Sequence, residues 1–387
     1  MITLAADIAR VVAEARAGGR MGLDTEFMRE RTYRARLCLV QVVTDASLAL
    51  IDPMQGADLT PVAEAIGDPS VDVVVHAGKQ DLDIFHSAFG VVPANVFDVQ
   101  VAAGFAGYGA SLPLGRLIEL LTGASLTKGE SYTDWCRRPL SSAQLTYAAA
   151  DVRYLFAAAD RLEQELAAQG RTQWVREELA ALARRDSYGV DSHTAWRRVA
   201  GRGGLSPTQT AVLRELAAWR EETAARRDVP RGWLLKDPTL VQLARRRPRS
   251  VADLKAIRGV NAKEAERSGA QLLAAISAGS SEEPIEQHDE VLPRSALVRA
   301  RMLSGLADAV ARSRCEKAGI ATELVATRSE METILAEIFA GCLNESRHRL
   351  LVGWRRDLVG RYLLALARGE IAVRAVDVPP YIEEVPV

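Results

Sequence analysis

The stretch R-M-G-L-D-T-E-F, residues 20–27, decides how the first part of the chain folds. Its short apolar pattern predicts a β-strand, in which side chains alternate between the two faces. Asp24 and Glu26 are two residues apart and therefore point to the same face. The strand is thus predicted to present two carboxylates side by side.

A third carboxylate follows a second predicted strand. The apolar run at residues 71–75 is typical of a buried strand, and H-A-G-K-Q-D-L at residues 76–82 comes directly after it. This order places Asp81 in the opening turn of a helix. Its carboxylate is therefore expected near the end of a core strand.

The last two candidate residues share a helix. Residues 141–167 have helical periodicity, so Tyr147 and Asp151, four apart, lie on one face. Four carboxylates in one pocket would repel each other unless cations neutralised them. Mg²⁺ and Mn²⁺ prefer oxygen ligands, so two divalent cations of this kind are the expected cofactors.

Bulk composition favours an ordinary globular protein. The chain has 387 residues, of which 48% are hydrophobic and 26% charged. Its apolar runs are too short to cross a bilayer, and Met1-Ile2-Thr3-Leu4 leads into a predicted helix rather than a basic-then-apolar leader. We therefore expect a cytoplasmic protein with no membrane partner. We also expect a monomer, because no long coiled coil stands out.

Cysteine and histidine usage argues against a zinc site or a disulfide scaffold. The four cysteines, at positions 38, 136, 315 and 342, lack metal-ligand spacing. They are predicted to be reduced thiols in a cytosolic protein. The five histidines are dispersed as well.

Charge is distributed unevenly along the chain. The net charge is only −1, but residues 184–250 contain 14 Arg and 1 Lys against 7 acidic residues, a local balance of +8. A basic central segment beside an acidic catalytic part is typical of an enzyme that binds nucleic acid through a region separate from its catalytic site. The alternative is a set of solvated arginine-rich helix faces, and for any single arginine that alternative is favoured.

The order of predicted elements indicates an α/β part followed by all-α parts. Predicted strands at 20–27, 37–44 and 47–52 precede the strand at 71–76, a meander followed by crossovers that suggests a mixed sheet. A glycine-rich boundary and an acidic linker, residues 279–293, then separate purely helical segments. The predicted domains are 1–200, 205–280 and 294–375.

The five candidate residues fit one kind of chemistry. Phosphodiester cleavage by two metal ions needs carboxylates that hold the ions about 4 Å apart. Asp24 is the candidate bridging ligand, and Glu26, Asp81 and Asp151 would complete the coordination. Tyr147 would orient the attacking water, because an ordinary phenol pKa near 10 disfavours proton abstraction. Each residue alone has a common structural explanation, but the combination is specific.

These motifs resemble those of the ribonuclease D family. D-T-E-F-M-R-E-R-T-Y at 24–33 with L-C-L-V-Q at 37–41 is similar to its first exonuclease motif. H-A-G-K-Q-D-L with F-D-V-Q-V-A-A at 97–103 resembles the second, and residues 134–155 resemble the third. The tyrosine four residues before the last aspartate is typical of the tyrosine-type DEDD 3′→5′ exonucleases.

The resemblance extends into the helical part. Residues 205–240 and 251–260 are similar to the HRDC module, and residues 325–335 with 350–360 resemble a weaker second module. The resemblance implies an RNase H-like mixed-sheet exonuclease domain followed by two helical HRDC-type domains. It also implies release of nucleoside 5′-monophosphates from RNA 3′ ends, with tRNA precursors or other structured RNA as substrates.

Residues beside the metal site are candidates for binding RNA. Phe27 and Met28 follow the metal ligands and could pack against the terminal base. The residues before the predicted helix at 141–167 could stack on RNA bases or bind the RNA backbone. A core position for the tryptophan among them is equally favoured. The basic segment would hold the RNA body. The candidates in these two groups are Trp135, Arg137, Arg138, Arg245, Arg246 and Arg247.

Two other functions stay open from the residues alone. A 3′→5′ DNA exonuclease would use the same metal motifs, since both nucleic acids present the same phosphodiester. A non-catalytic nucleic-acid scaffold would use only the helical modules, and the intact set of carboxylates and tyrosine argues against it.

Overall fold

A computed structural model describes residues 2, 4–126, 133–189, 191–285 and 292–387. Its first part contains a five-stranded sheet with the order β3-β2-β1-β4-β5. β1 pairs antiparallel with β2 and parallel with β4, which confirms the predicted mixed sheet. The strands are β1 Arg20–Met28, β2 Arg36–Val43, β3 Leu48–Ile51, β4 Asp72–Val75 and β5 Asn95–Asp98.

Helices cover both faces of this sheet. The apolar faces of the first three helices pack on one side, around Val11, Val62 and Phe85. Later helices bury Phe105 and Leu162 on the other side. The helices are α1 Ala5–Gly18, α2 Thr60–Ile66, α3 Lys79–Phe89, α4 Val99–Ala106, α5 Leu114–Thr122, α6 Ser142–Arg153, α7 Leu155–Ala168 and α8 Thr172–Leu179.

The predicted helix over residues 141–167 is in fact two helices, α6 and α7. The chain leaves helical geometry at Tyr154, whose φ is −107° and ψ is 5°. No glycine or proline marks this break, so the sequence pattern did not place it. Tyr147 and Asp151 both lie within α6, so their shared face is unaffected.

The central helical segment has its own hydrophobic core. Leu213, Leu216, Leu243 and Leu272 are buried together there. Its helices are α9 Pro207–Arg227, α10 Arg231–Leu234, α11 Asp237–Arg246, α12 Val251–Lys255 and α13 Ala262–Ser281. α13 therefore includes the first residues of the predicted linker, and residues 286–291 of that linker lie outside the described residues.

The C-terminal helices share a core with the first part of the chain. Trp354 stacks on Trp174 at a ring-centroid distance of 5.2 Å and meets Phe105 edge-on at 5.1 Å. The α-helices are α14 Arg294–Ala318, α15 Thr322–Val325, α16 Arg328–Ala340, α17 Gly353–Arg355 and α18 Arg361–Arg368, with a π-helical turn at Arg356–Gly360 and a final hairpin of β6 Ile371–Ala375 and β7 Ile382–Pro386. Short 3₁₀ turns occupy Pro53–Gln55, Ala180–Ala183, Arg185–Ser187, Ala195–Arg198, Glu345–Arg347 and Arg349–Leu351.

One pair of cysteines corrects a prediction. Cys38 and Cys136 are joined in a disulfide, with their Cα atoms 5.3 Å apart, so they are not the reduced thiols that we predicted. The two positions are 98 residues apart in the chain, and spacing alone did not reveal their contact. Cys315 and Cys342 are free thiols.

None of the helices within the described ranges is both long and apolar enough to cross a membrane.

Candidate active site

β1 places the first two carboxylates of the site. Asp24 lies opposite Gln41 and Glu26 lies opposite Leu39 in the antiparallel pair with β2. The register then shifts, because Phe27 pairs with Leu37. Cys38 is thus the extra residue of a bulge on β2, a feature common beside active sites. Asp24 and Glu26 keep the alternation that points both to one face.

α6 delivers the third carboxylate and the tyrosine. Its N-terminus is fixed by a capping box, in which the side chains of Ser141 and Gln144 bond to each other's backbone N–H groups. The hydroxyl of Tyr147 donates a hydrogen bond to Asp151. One face of a rigidly started helix therefore carries both groups.

The structure brings three predicted metal ligands into one cluster. Asp24, Glu26 and Asp151 each offer a carboxylate oxygen, and these oxygens all lie within 4.8 Å of one another. The three side chains are half-buried, so the cluster is open to solvent on one side. This juxtaposition joins two elements that are more than a hundred residues apart in sequence.

Asp81 lies beside this cluster rather than within it. It accepts a hydrogen bond from the hydroxyl of Thr25, the residue between the two β1 carboxylates. Asp81 is 7% exposed, yet its charge still raises the pKa of Asp24 and of Glu26. Its role as a metal ligand therefore stays a prediction, with Thr25 as a partner that the sequence pattern did not indicate.

The turn that carries Asp81 is held by Asp98. The two carboxylate oxygens of Asp98 accept hydrogen bonds from the backbone N–H groups of Ala77 and Gly78, both at 3.0 Å. The same side chain caps the N-terminus of α4. Gly78 is required because a Cβ there would lie 2.5 Å from the side chain of Val75. Asp98 thus links the turn between β4 and α3 to the N-terminus of α4.

Burial raises the pKa of every carboxylate of the site, and neighbouring negative charges add to this shift at Asp24, Glu26 and Asp81. Burial, then the charges of the other three carboxylates, raise the pKa of Asp24 well above its ordinary value. Burial, then Asp151 and Asp81, raise the pKa of Glu26 to about 8. Burial raises the pKa values of Asp81 and Asp151 to about 6, against opposing hydrogen bonds from Thr25 and Tyr147 respectively.

These properties fit a site for divalent cations. The donor set consists of carboxylate oxygens alone, which suits hard ions such as Mg²⁺ and Mn²⁺. Without a cation, burial disfavours the charged form of all four carboxylates, and the neighbouring carboxylates add to this effect at Asp24 and Glu26. A bound cation would reverse this effect, so the geometry and the electrostatics agree.

Two of the predicted RNA-binding residues have structural positions. Trp135 is 2% exposed, and its ring packs 6.1 Å from that of Tyr147, so it presents no face to RNA. Arg138 forms an ion pair at 2.6 Å with Asp52, which is fully buried, and also donates to the carbonyl of Cys38. Trp135 therefore has the core position that was the equally favoured alternative, and an RNA contact by Arg138 stays a prediction.

The other predicted RNA-binding residues are accessible. Phe27 and Met28 are half-buried at the end of β1, and Arg137 is exposed. The three arginines at the end of α11 are also exposed. Arg246 and Arg247 line a cavity of about 780 Å³ together with Arg249 and three serines of α13. The exposed α11 arginines are Arg245, Arg246 and Arg247.

Much of the remaining charge in the basic segment is neutralised. Arg227 pairs with Glu264 at 2.8 Å, and Arg231 pairs with Glu221 at 2.9 Å. The arginine cluster of residues 245–247 has no carboxylate within 4.0 Å among the described residues. The part of residues 184–250 that keeps an unneutralised positive charge is therefore smaller than the number of its arginines suggests.

Comparisons with known proteins agree with this geometry. A family model described as a 3′-5′ exonuclease matches residues 1–167, and one described as an HRDC domain matches residues 209–276. Ribonuclease D of Granulibacter bethesdensis is 38% identical over 378 residues, covering 96% of this chain and 93% of that protein. Ribonuclease D of Jannaschia sp. is 38% identical over 385 residues, covering 97% and 96% respectively.

A solved structure is similar over nearly the whole chain. The crystal structure of Escherichia coli RNase D, described as an exoribonuclease involved in structured RNA processing, superposes with a TM-score of 0.79 and 31% sequence identity. The match covers 95% of this chain and 98% of that one.

Proposed function

Since this chain belongs to the ribonuclease D family of exoribonucleases, we propose that it releases nucleoside 5′-monophosphates from RNA 3′ ends with two divalent cations. The observation that carries the proposal is the cluster of Asp24, Glu26 and Asp151, whose carboxylate oxygens lie within 4.8 Å of one another beside Tyr147. Asp81 completes the proposed set of ligands.

The cations and the protein side chains have separate roles in this proposal. When bound, the cations would supply charge neutralisation at the phosphodiester and activation of water. The chain contributes the carboxylates that hold them and the tyrosine that orients the nucleophile. Tyr147 is fixed by its hydrogen bond to Asp151, and its phenolic oxygen can accept a second hydrogen bond from the attacking water. Trp135 supports the tyrosine ring from the core side.

The substrate of this proposal is RNA with a single-stranded 3′ end, including tRNA precursors. The family and its structured-RNA relative support the choice of RNA over DNA. The exposed arginines around the α11–α13 cavity would bind the phosphates of the RNA body. Their position on a separate helical module suits a substrate that is larger than the terminal nucleotides.

A gel assay tests the proposal directly. Purified protein is incubated with 5′-labelled single-stranded RNA or matching DNA, in Mg²⁺, Mn²⁺ or EDTA. We expect a metal-dependent ladder that shortens the RNA from its 3′ end, absent in Asp151→Asn and retained in Glu119→Gln, a control at an exposed position. Faster trimming of DNA, or trimming in EDTA, would overturn it.

A further inference from the structure

The connection between β1 and β2 is strongly basic. Residues 29–36, which are this connection and the first residue of β2, contain four arginines and one glutamate, and all four arginines are exposed. None of them has a carboxylate within 4.0 Å among the described residues. These residues are called the β1–β2 arginines below: Arg29, Arg31, Arg34 and Arg36.

This basic connection starts beside the carboxylate cluster. Arg36 lies directly opposite Met28 in the strand pair, two residues beyond Glu26. Arg29 follows Glu26 by three residues, about 10 Å of extended chain. A polyanion whose end reached the carboxylates would therefore pass the β1–β2 arginines next.

The helical module holds this connection by its backbone. Asp228, at the C-terminal end of α9, accepts hydrogen bonds from the backbone N–H groups of Tyr33 and Arg34, both at 3.0 Å. Hydrogen bonds to a carboxylate are about twice as strong as neutral ones. Because Asp228 takes the backbone amides, the Arg34 guanidinium stays available for another anion.

A second contact fixes the tip of the connection. The Tyr33 hydroxyl donates to Glu221 at 3.0 Å, and Glu221, 3% exposed, also pairs with Arg231 at 2.9 Å. Burial, then the charge of Glu221, raise the pKa of Tyr33 to about 12, so the hydroxyl keeps its proton at neutral pH. One acidic residue of α9 and the acidic residue that caps its C-terminal end therefore anchor one short basic segment.

We propose that the β1–β2 arginines bind the RNA backbone just upstream of the scissile nucleotide, and that Asp228 and Glu221 of the helical module are positioning residues for this subsite. The proposal rests on the proposed function for the identity of the polyanion. It gives the module a role at the catalytic domain itself, besides any RNA contact of its own. Separate loss of these contacts would loosen the subsite while leaving the carboxylate cluster unchanged.

Binding measurements test this subsite without catalysis. Fluorescence anisotropy of a 5′-labelled oligoadenylate in EDTA gives affinity as a function of salt for each variant. The variant with Arg29→Ala, Arg31→Ala and Arg34→Ala should lower the slope of log affinity against log salt by about 2, at about 0.7 per lost phosphate contact on a single strand. It changes exposed side chains only, so the fold should be preserved.

Asp228→Gly tests the anchor. Glycine tolerates the left-handed backbone at this position, where φ is 48°, and lacks the carboxylate. We expect affinity to fall roughly tenfold, as for loss of hydrogen bonds to a charged group, while Asp228→Asn, which keeps a neutral acceptor oxygen, should lose less. Tyr33→Phe should weaken binding to a smaller degree without altering α9.

The hydrolysis of a diadenylate separates the two proposals. A 5′-hydroxyl diadenylate has no phosphate upstream of the scissile one, so the variants should lose less activity on it than on a longer oligoadenylate. Wild-type affinity and salt slope in both the triple arginine variant and Asp228→Gly would overturn the subsite, whatever the activity. Impaired binding in these variants, combined with a wild-type protein that trims no RNA, would support the subsite and overturn the proposed function.

Discussion

The hydroxyl of Tyr147 donates a hydrogen bond to the carboxylate of Asp151, one helical turn further along α6. The bond opposes burial, which raises the pKa of Asp151 to about 6. It therefore favours the ionised carboxylate that a cation needs and at the same time fixes the phenol. In the proposed mechanism, this single contact would couple metal binding to water orientation.

Tyr147→Phe should separate these two roles. We expect kcat on RNA to fall about 10²- to 10³-fold, the usual loss for one well-placed hydrogen-bonding group in a catalytic site. KM and the number of bound Mn²⁺ ions should change little, because the carboxylates remain. Steady-state kinetics with isothermal titration of Mn²⁺ measure both, and Tyr154→Phe, outside the cluster, serves as the control. Full activity in Tyr147→Phe would exclude the orienting role.

Asp24→Asn should stabilise the metal-free protein while abolishing cleavage. Burial and three neighbouring carboxylates raise the pKa of Asp24, so the charge is costly in the absence of cations. The expected gain in the free energy of unfolding is on the order of 1 kcal/mol, the value of about one pKa unit. Thermal unfolding in EDTA detects it as a higher Tm. A lower Tm for Asp24→Asn would show that the charge is compensated within the protein.

Stability without metal should decrease as pH rises. The pKa of Glu26 is raised from 4.5 to about 8, so the folded protein holds a proton that the unfolded chain releases at lower pH. This stabilisation is complete below pH 4.5 and is lost as pH rises to about 8. We therefore expect the Tm in EDTA to fall across this window and the gain from Mn²⁺ to grow. Glu26→Gln should flatten the EDTA profile, and an unchanged profile would contradict the assignment.

Arg138 and Arg137 should behave differently although they are adjacent. Arg138→Ala leaves Asp52 charged and fully buried, and breaking such a pair costs about 3–5 kcal/mol of stability. Arg137→Ala changes an exposed side chain, so its stability effect should stay within about 0.5 kcal/mol. Urea unfolding measures both values. A loss of RNA affinity in Arg137→Ala at unchanged stability would support its predicted contact with RNA.

The sequence predicted those features that depend on local periodicity. A two-residue spacing on a strand and a four-residue spacing on a helix were enough to place Asp24 with Glu26, and Tyr147 with Asp151, on common faces. Their meeting in one cluster followed from charge and family motifs rather than from the spacing itself. The mixed sheet could likewise be predicted from the order of its strands.

Local periodicity did not predict contacts between segments that are distant in the chain. Arg138 meets Asp52 across 86 residues, and Asp228 meets the backbone of Tyr33 across 195. An exposed arginine and an ion-paired one have the same local sequence pattern. Trp135 lies in an irregular segment without periodicity, so its burial depended on how α6 packs against β2. Such contacts depend on how distant segments come together in the fold, and local sequence patterns do not indicate this.

The packing of Trp354 against Trp174 and Phe105 has a consequence for how the chain can be divided. Cutting the protein before α14 would leave the aromatic rings of the exonuclease part facing water, with Arg171 deprived of the carbonyl oxygens of Ala318 and Gly319. Such a fragment would expose an apolar surface and would be prone to aggregate. Removing the module of α9–α13 would disturb the rest of the chain less, because its leucines form a hydrophobic core of their own. The first and last parts of the chain therefore share one hydrophobic core, and the module lies between them in sequence.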